Sequence, residues 1–425
     1  MGERKIYFLK KLAHAFRKHG FSIFRKAFAK IYFSLRDQID TLSYICFFDK
    51  KELLQIFEGS YSFIDLSLGK IQWDGTLVQR YKQVSIQFSK MDGLVFAGSL
   101  PQIDNVRLLR KISDNLYIIN PNIKPLIRDI ENFSKKKNLD VLVRVQSTDF
   151  SITFEQILKW KEKGFKVLYE YVDPFHEDIS GPIPNSILLR HRQVLADHDI
   201  YFCATAKNLL GEAGRKRGKS FLSQNAVQPS HWKKKFEEKE NSNVSTVLSK
   251  IRTNKLPIVG YHGALAKWIN YPLLIQLVET NRFSLLLIGQ EYDNSLKESG
   301  LLGKKNVFYL GPVDYAELPN YASCYDISII PFVFSTLSDG VSPIKLFEYM
   351  ALGRPIVVTN NSELKDYRSC IKAIDNDDFI KKLDLALQLQ NDQAYLETLH
   401  SESQRNTWEK RCEDMLKHCE VKVST

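Results

Sequence analysis

The protein has 425 residues, of which 44% are hydrophobic and 26% are charged. This composition excludes a disordered, collagen-like or low-complexity chain and predicts two domains of ordinary size. The net charge of +11 is concentrated, because residues 1–36 hold ten Lys or Arg side chains and one acid and so carry +9, which leaves +2 for the rest of the chain. A basic body wrapped around nucleic acid is not indicated, and we expect no nucleic-acid partner.

The N-terminal segment is amphipathic as well as basic. Apolar residues recur at three- and four-residue steps over residues 6–16 and again over residues 21–35, with a break at Gly20. The pattern predicts two helices within a basic extension, residues 1–50, each with a Phe-rich face and a Lys/Arg face. Such helices lie well on anionic membranes, so we expect residues 1–36 to contact the inner leaflet. The alternative is a helical hairpin packed on its own domain or on a partner subunit.

Apolar runs elsewhere are short. None approaches the roughly 18 uncharged residues of a transmembrane helix, and the N-terminus has no uninterrupted signal-peptide core. The six cysteines form no C-x-x-C pair, which favours reduced thiols in a cytoplasmic protein. We therefore expect a cytoplasmic protein that is peripheral at the inner face of the cell membrane.

From about residue 60 the pattern alternates between strand and helix. Strand signals lie at residues 61–68, 93–97, 116–119, 140–145, 166–171 and 200–204, and helical patterns lie at residues 77–89, 154–163 and 186–197. Alternating units of this kind predict a parallel sheet covered on both faces, here a first domain over residues 60–228. Residues 229–254 are polar and charge-rich and predict a linker with one or two helical turns.

A second series of the same kind comes after the linker. Strand signals lie at residues 256–261, 284–288, 306–310, 327–331 and 355–358, and helical patterns lie at residues 271–280, 315–324, 343–352, 362–366, 378–390 and 406–417. The fold class is therefore α/β, with two Rossmann-like doubly wound domains that face a cleft. The second domain covers residues 255–400, and a C-terminal helix within residues 401–425 is expected to return to the first domain.

Glycines mark the loops that come after three strands of the second series. Gly263, Gly289 and Gly311 each come at or shortly after a predicted strand end. In open α/β sheets the ligand lies at the carboxyl ends of the strands, and glycine allows a bulky anion to come close to the backbone. These loops are therefore expected to line the cleft.

The segment from Asp339 to Val358 contains the strongest candidates for ligand-binding residues. Ser342 is a good helix N-cap and Pro343 a good first helical residue, so a helix begins at the edge of the sheet with its amides aimed into the cleft. Lys345 opposes the helix dipole in the first turn, which is favourable if an anion binds there. Glu348 comes next on the same face, where a carboxylate accepts both hydroxyls of a ribose. The alternative is an amphipathic helix with two exposed charges.

At this point the sequence resembles a known family. SPIKLFEYMALGRPIV at residues 342–357 resembles the nucleotide-sugar motif of GT-B glycosyltransferases, especially the bacterial capsule and teichuronic-acid polysaccharide type. GYHGALAKW, LLLIG, NVFYLGPVDYAELPNY and DISIIPF keep the family's order in the second domain. WDGTLVQRYKQ, VLYEYVDPFHE and TWEKR resemble its other segments. The resemblance covers about residues 60–420.

The resemblance implies transfer of a sugar from a nucleotide-diphosphate donor to a lipid-linked or polysaccharide acceptor in bacterial surface glycan synthesis. The first domain would bind the acceptor and the second the nucleotide sugar. Glu348 would bind the ribose, and Lys345 with the segment Ser342, Pro343 and Ile344 would hold the diphosphate. Gly263 would let its loop approach the phosphates or the sugar, and residues 309–313 would line the base. No metal and no cofactor are implied, and UDP is the default nucleotide.

One position departs from the family. Many relatives carry a second glutamate eight residues before the ribose-binding one, and this chain has Gly340 there. The departure leaves the donor-sugar contacts and the stereochemical outcome open. It also supports an alternative, a catalytically silent GT-B subunit that binds a true transferase, although a silent partner has no need of the Lys345 and Glu348 pair.

Asp173 is the candidate general base, because it comes after a predicted strand of the first domain at the cleft. His176 and Glu177 are close alternatives, and a loop carboxylate that caps the next helix is the structural alternative. Arg80 and Gln79 are expected to brace the interface or to contact the acceptor. We interpret Trp73 and Trp268 as packing residues, and residues 375–378, which superficially resemble a metal-binding D-x-D motif, as turn and N-cap residues.

Overall fold

The computed structural model describes residues 21–76, 78–177, 182–212, 217–233, 249–251, 253–334 and 340–423. The first of the two predicted N-terminal helices lies outside the described residues, as does most of the predicted linker.

Among the described residues, the first sheet has eight strands, and seven of them run parallel. In chain order these are β1 Phe63–Ser67, β2 Gly93–Gly98, β3 Leu109–Ser113, β4 Leu116–Ile119, β5 Val141–Gln146, β6 Lys166–Tyr171, β7 Tyr201–Ala204 and β8 Ser220–Leu222. Their order across the sheet is β3-β4-β2-β1-β5-β6-β7-β8, with β3 antiparallel to β4 at one edge. The sequence patterns missed the two edge strands, because β3 is largely exposed and carries charges and β8 has only three residues.

The second sheet has six strands within the described ranges, all parallel. They are β9 Ile258–His262, β10 Ser284–Ile288, β11 Val307–Tyr309, β12 Ile327–Ile330, β13 Ile356–Thr359 and β14 Cys370–Ala373, in the spatial order β11-β10-β9-β12-β13-β14. Four of them are buried along their whole length, which is the reason for their near-continuous apolar sequences. The short edge strand β14 was not predicted.

Helices cover both sheets and extend both ends of the chain. The labelled helices are α1 Phe21–Phe47, α2 Lys50–Glu58, α3 Arg80–Lys90, α4 Pro101–Asp104, α5 Lys124–Lys136, α6 Phe154–Glu162, α7 Asn185–Ala196, α8 Lys207–Glu212, α9 Pro229–Trp232, α10 Tyr271–Glu279, α11 Ser295–Glu298, α12 Leu318–Ala322, α13 Ile344–Leu352, α14 Asn376–Leu389, α15 Gln393–Arg405 and α16 Trp408–His418. The arrangement confirms the predicted fold class, two doubly wound α/β domains.

The last helix packs on the first sheet. Trp408, Cys412 and Met415 of α16 are buried in the same apolar cluster as Tyr81 and Phe88 of α3. The chain therefore crosses back from the second sheet to the first at its C-terminal end, and it ties the two domains together by apolar burial.

The helix α1 runs twelve residues beyond the predicted end at residue 35. Its inner face contacts the first domain. Asp40 of α1 forms an ion pair with Arg107 at 2.7 Å, and the hydroxyl of Tyr44 of α1 donates to Asp129 at 2.8 Å. The other face leaves large apolar side chains exposed, from Tyr32, 63% exposed, to Phe47, 86% exposed. The exposed members are Tyr32, Leu35, Ile39, Leu42, Ile45 and Phe47.

The described part of the first domain buries four charged side chains together. Arg144 of β5 makes two hydrogen bonds to Asp65 of β1, at 2.8 and 2.9 Å, and a third to Glu170 of β6 at 3.3 Å. Arg80, the first residue of α3, donates to the other oxygen of Glu170 at 2.8 Å. Two cations and two anions thus neutralise each other in the interior, where an unpaired charge would be costly.

Candidate active site

A cavity of about 1160 Å³ lies between the two sheets. The first domain lines it with the segments that come after β1, β5 and β6, and the second domain lines it with the segments that come after β9, β10, β11 and β12. All of these are carboxyl ends of parallel strands, where the sequence predicted the cleft. Trp268 lines this cavity, whereas Trp73 is buried in the apolar core of the first domain.

The N-terminus of α13 faces the cavity, although its capping differs from the prediction. The helix begins at Ile344 with Pro343 at the N-cap position, and it ends at Gly353 in a left-handed conformation. Ser342 is therefore not the cap. Its hydroxyl accepts from the backbone N–H of Asn225 at 3.3 Å, and its carbonyl accepts from the Asn225 amide at 2.6 Å. The serine joins the two domains at the mouth of the cavity.

Lys345 lies over aromatic rings in the cavity wall. Its Nζ is 5.0 Å from the ring centroid of Tyr261 and 5.2 Å from that of Phe332. Burial lowers the pKa of Lys345 to about 8, although the negative charge of Glu348 acts in the opposite direction. A partly desolvated ammonium group of this kind gains from binding an anion, because the anion replaces the water that burial removed.

Two of the predicted glycines are required by their backbone conformation, which has a positive φ. Gly263 has a φ of 131°, and a Cβ there would lie 2.7 Å from the Cε atom of Lys345. Gly289 has a φ of 142°, and a Cβ there would lie 1.9 Å from the carbonyl oxygen of Gly263. Both line the cavity, whereas Gly311 is not among the described lining residues. Its carbonyl accepts a hydrogen bond from the Gly289 N–H at 2.8 Å. Glycine at 289 and 311 thus shapes the loops that frame the site.

Glu348 has a partner that the sequence analysis missed. Its Oε2 lies 2.9 Å from Nε2 of His262, the last residue of β9, and both side chains are buried. The ring of His262 stacks on Trp232 of α9 at a centroid distance of 5.1 Å. The available signal was a polar residue at the end of an otherwise apolar strand, next to Gly263 at the edge of the sheet. Glu348 is not one of two exposed helix charges, so that alternative is wrong.

The first-domain side of the cavity contains the candidate base. Asp173 lies two residues beyond β6, lines the cavity and is half-buried, and burial raises the pKa of its carboxyl to about 7. Glu177 also lines the cavity but is exposed, and His176 is exposed and is not among the described lining residues. Asp173 is thus the least exposed of the three candidates and the one closest to the strand end.

The adjacent candidates Gln79 and Arg80 differ in burial. Gln79 lines the cavity and is exposed, so its side chain is accessible to a ligand. Arg80 also lines the cavity, but its guanidinium is buried and bonds Glu170, Ser223 and the carbonyl of Gln224. Arg80 therefore braces the interior of the first domain, and its predicted contact with the interface or the acceptor stays a prediction.

The position of the missing glutamate lies at the contact between the domains. A Cβ on Gly340 would be 3.3 Å from Cγ of Pro174 and 3.5 Å from a methyl group of Leu209. Both neighbours belong to the first domain, and Pro174 directly follows Asp173. A side chain at residue 340 would therefore be in tight contact with Pro174, the residue that follows the candidate base.

The D-x-D-like segment is a helix cap. The Asp375 carboxylate accepts from the Asp378 N–H at 2.8 Å at the start of α14, as predicted. Within the ranges that the structure describes, no three His, Cys, Asp or Glu side chains come together in a way that could hold a metal ion. The described helices include none that is both long and apolar enough to span a bilayer.

Comparison with known proteins yields one domain family and one curated relative. Residues 257–388 match the family described as glycosyl transferases group 1. A 158-residue segment is 26% identical to TuaH of Bacillus subtilis (strain 168), a protein assigned as a teichuronic acid biosynthesis glycosyltransferase. The matching segment spans 36% of this chain and 40% of TuaH.

Solved structures resemble this chain over most of its length. Sucrose-phosphate synthase from Thermosynechococcus elongatus superposes with a TM-score of 0.58, over 83% of this chain and 96% of that one, at 13% identity. Alr3699/HepE of Anabaena, solved in complex with UDP, superposes with a TM-score of 0.55, over 84% of this chain and 98% of that one, at 12% identity. At these identities the likeness shows the fold alone.

Proposed function

We propose that the protein transfers a sugar from a nucleotide-diphosphate donor to an acceptor hydroxyl. The GT-B fold and the match of residues 257–388 to the family glycosyl transferases group 1 support this proposal. The observation that carries this proposal is the placement of Lys345 and Glu348 on the first turns of α13, facing the interdomain cavity beside Gly263.

The donor half of the site suits a leaving diphosphate. Lys345 and the free amides at the start of α13 present positive charge where the leaving group becomes more negative in the transition state. The buried carboxylate of Glu348 is placed one turn deeper, where it would accept the ribose hydroxyls. We propose UDP as the donor nucleotide, which the UDP complex of HepE supports. Independence of a metal and of any cofactor stays a prediction that rests on these protein charges.

The acceptor half of the site offers a base. With a pKa of about 7, Asp173 is partly ionised at neutral pH and can still take a proton from an acceptor hydroxyl. We propose a lipid-linked or polysaccharide acceptor in bacterial surface glycan synthesis, for which the similarity to TuaH is the support. The retaining or inverting outcome is left open by Gly340.

Nucleotide binding tests the donor site. We expect UDP to raise the melting temperature of the wild-type protein more than GDP, CDP or dTDP does, since a ligand of the folded state stabilises it in proportion to its affinity. Glu348→Ala should weaken UDP binding by about 30-fold or more in calorimetric titration, because it removes a charged hydrogen-bond acceptor. Glu413→Ala, an exposed glutamate on α16, is the matched control.

The outcomes separate the two candidate functions. If none of the four nucleotides binds the folded wild-type protein, the transferase proposal is rejected and the silent-subunit alternative takes its place. If UDP binds equally well to wild type and Glu348→Ala, a nucleotide site exists but α13 does not form it.

We also propose that the N-terminal extension brings the protein to the inner face of the cell membrane. The exposed apolar face of α1 supports this, and the charge of +9 on residues 1–36 matches an anionic surface. The exposed apolar face of α1 continues to Phe47, beyond the predicted residues, while the inner face contacts its own domain through Asp40 and Tyr44.

Vesicle sedimentation tests the membrane contact. The double variant Ile39→Asp/Leu42→Asp should reduce binding to vesicles rich in phosphatidylglycerol by about tenfold or more, since it places two charges at the bilayer surface. Ile374→Asp, which changes an isoleucine 72% exposed in the second domain, should bind like wild type. Equal binding of all three proteins, or equal binding to neutral phosphatidylcholine vesicles, would rule out this surface.

A further inference from the structure

We propose that His262 is a positioning residue for the donor: its imidazole holds the carboxylate of Glu348 in the orientation that receives the ribose hydroxyls, and Trp232 holds the imidazole. This inference rests on the proposed function and deepens it, because it assigns part of the donor site to a strand end and to the segment between the domains.

The contact between His262 and Glu348 has the geometry of a directed hydrogen bond. The atoms Nε2 and Oε2 are 2.9 Å apart, and the two side chains are 3% and 6% exposed. Both residues line the interdomain cavity. A carboxylate with one oxygen engaged in this way loses most of its rotational freedom, and it reaches the ligand without a cost for ordering its side chain.

Burial favours the neutral form of the imidazole, and the contact with Glu348 favours one of its two tautomers. Burial lowers the pKa of His262, and the nearby Lys345 acts in the same direction, while the hydrogen bond and charge of Glu348 act against them. With Glu348 as acceptor, the ring proton is on Nε2. The other nitrogen, Nδ1, is buried and has no hydrogen-bond partner among the described residues. The ring thus serves Glu348 alone, instead of being one member of a continuous polar chain.

Aromatic contacts fix the plane of the imidazole. Trp232 stacks on it with an interplanar angle of 16°, and Tyr349 meets it edge-on at a centroid distance of 4.7 Å. The backbone N–H of His262 also donates to the Tyr349 hydroxyl at 3.1 Å. These contacts restrict the ring to one orientation, so that its Nε2–H points at Glu348 before any donor arrives.

Trp232 comes from the segment that was predicted to be a linker with one or two helical turns. Pro229–Trp232 forms the short helix α9, and Trp232 is 2% exposed in the core of the second sheet. Its neighbour His231 stacks on Tyr315, which also lines the cavity, at a centroid distance of 4.5 Å. The first residues after the first domain are therefore part of the wall behind the ribose site.

A role limited to packing makes a different prediction from a positioning role. If His262 only fills space, phenylalanine should replace it without loss of UDP affinity, since the rings of Trp232 and Tyr349 pack against this position. If it positions Glu348, a donor group at the same place is required. Glutamine supplies such a donor without the ring, and it distinguishes hydrogen bonding from aromatic packing.

The experiment is calorimetric titration of wild type, His262→Phe, His262→Gln and Trp232→Leu with UDP and with 2′-deoxy-UDP. We expect His262→Phe to bind UDP about tenfold more weakly than wild type, the size of effect that loss of a charge-assisted hydrogen bond produces. His262→Gln should recover most of the affinity, and Trp232→Leu should fall between them. The decisive readout is the ratio of the two dissociation constants: wild type should prefer UDP, and His262→Phe should lose that preference.

Melting temperatures without ligand accompany each titration. A His262→Phe protein that melts like wild type but keeps its UDP affinity and its preference over 2′-deoxy-UDP overturns the positioning role. If the phenylalanine variant does not fold, the glutamine variant decides, because loss of the hydroxyl preference there with a normal melting temperature also overturns the proposal. A wild-type protein that binds neither UDP nor GDP, CDP or dTDP overturns the proposed function itself.

Discussion

Asp173→Asn is expected to lower the rate of sugar transfer by about 10²- to 10⁴-fold, the usual contribution of a general base. Asparagine has nearly the same shape but cannot accept a proton from the acceptor hydroxyl. Donor binding should be unchanged, because Asp173 lies on the first-domain side of the cavity and Glu348 on the other. The measurement is turnover with UDP-sugar donors, together with the dissociation constant of UDP.

Comparing wild type and Asp173→Asn at different pH values gives a second test of the general base. Burial raises the pKa of Asp173 to about 7 from its usual 3.8, so the wild-type rate should rise with pH through about 7. The raised pKa also means that folding favours the protonated carboxyl, and its contribution to stability is lost as the pH rises through 7. Asp173→Asn should therefore raise the melting temperature at pH 8 more than at pH 5.

Glu177→Gln is the matched control for Asp173, because Glu177 lines the same cavity but is exposed. We expect a change in rate of less than about threefold. If the loss of turnover follows Glu177 or His176 instead, the base has been assigned to the wrong residue, while the donor site is unaffected by that result.

Glu170→Ala is expected to lower the free energy of unfolding by about 3–5 kcal/mol, the cost of breaking a buried ion pair. The carboxylate accepts from Arg80 at 2.8 Å and from Arg144 at 3.3 Å, and none of the three side chains is more than 4% exposed. Its removal leaves Arg80 without its carboxylate partner. The positive charges of Arg80 and Arg144 are then balanced by a single negative charge, that of Asp65. Urea denaturation measures the loss.

Acid should have the same effect on the wild-type protein as this substitution. Burial alone would raise the pKa of Glu170, but the charges of Arg80 and Arg144 outweigh it and hold the pKa below the usual 4.5. A depressed folded-state pKa stabilises the protein above the unfolded value, and this stability is lost as the pH falls through the folded value. The difference between wild type and Glu170→Ala should therefore shrink at low pH.

The control is Glu155→Ala. Glu155 pairs with Lys159 one turn along α6, and both side chains are well exposed at 76% and 61%. Exposed pairs of this kind contribute less than about 1 kcal/mol. An equal loss of stability in both variants would show that the buried network does not stabilise the first domain more than a surface pair does.

The sequence by itself determined the architecture and singled out the two residues that we propose for the donor site, Lys345 and Glu348. Strands buried on both faces leave long apolar runs in the sequence, and Gly353 at the end of α13 is a local signal, so both can be read without knowledge of the fold. The N-cap of the same helix was predicted one residue too early, at Ser342. The placement of Lys345, Glu348 and Asp173 at one cavity follows from the rule that parallel strands bring their carboxyl ends to one edge. The sequence patterns did not predict the edge strands β3, β8 and β14, because these strands are short, exposed or charged.

Only the tertiary structure decided which groups meet across the chain. His262 and Glu348 are 86 residues apart, Asn225 and Ser342 are 117 residues apart, and no local pattern in the sequence joins them. The same holds for Trp232, which belongs to no periodic pattern in the predicted linker but is buried against His262. The pKa of Asp173 also depends on the groups that exclude water from it. Hydrogen bonding and desolvation act through distance in space, whereas periodicity reports only on neighbours along the chain.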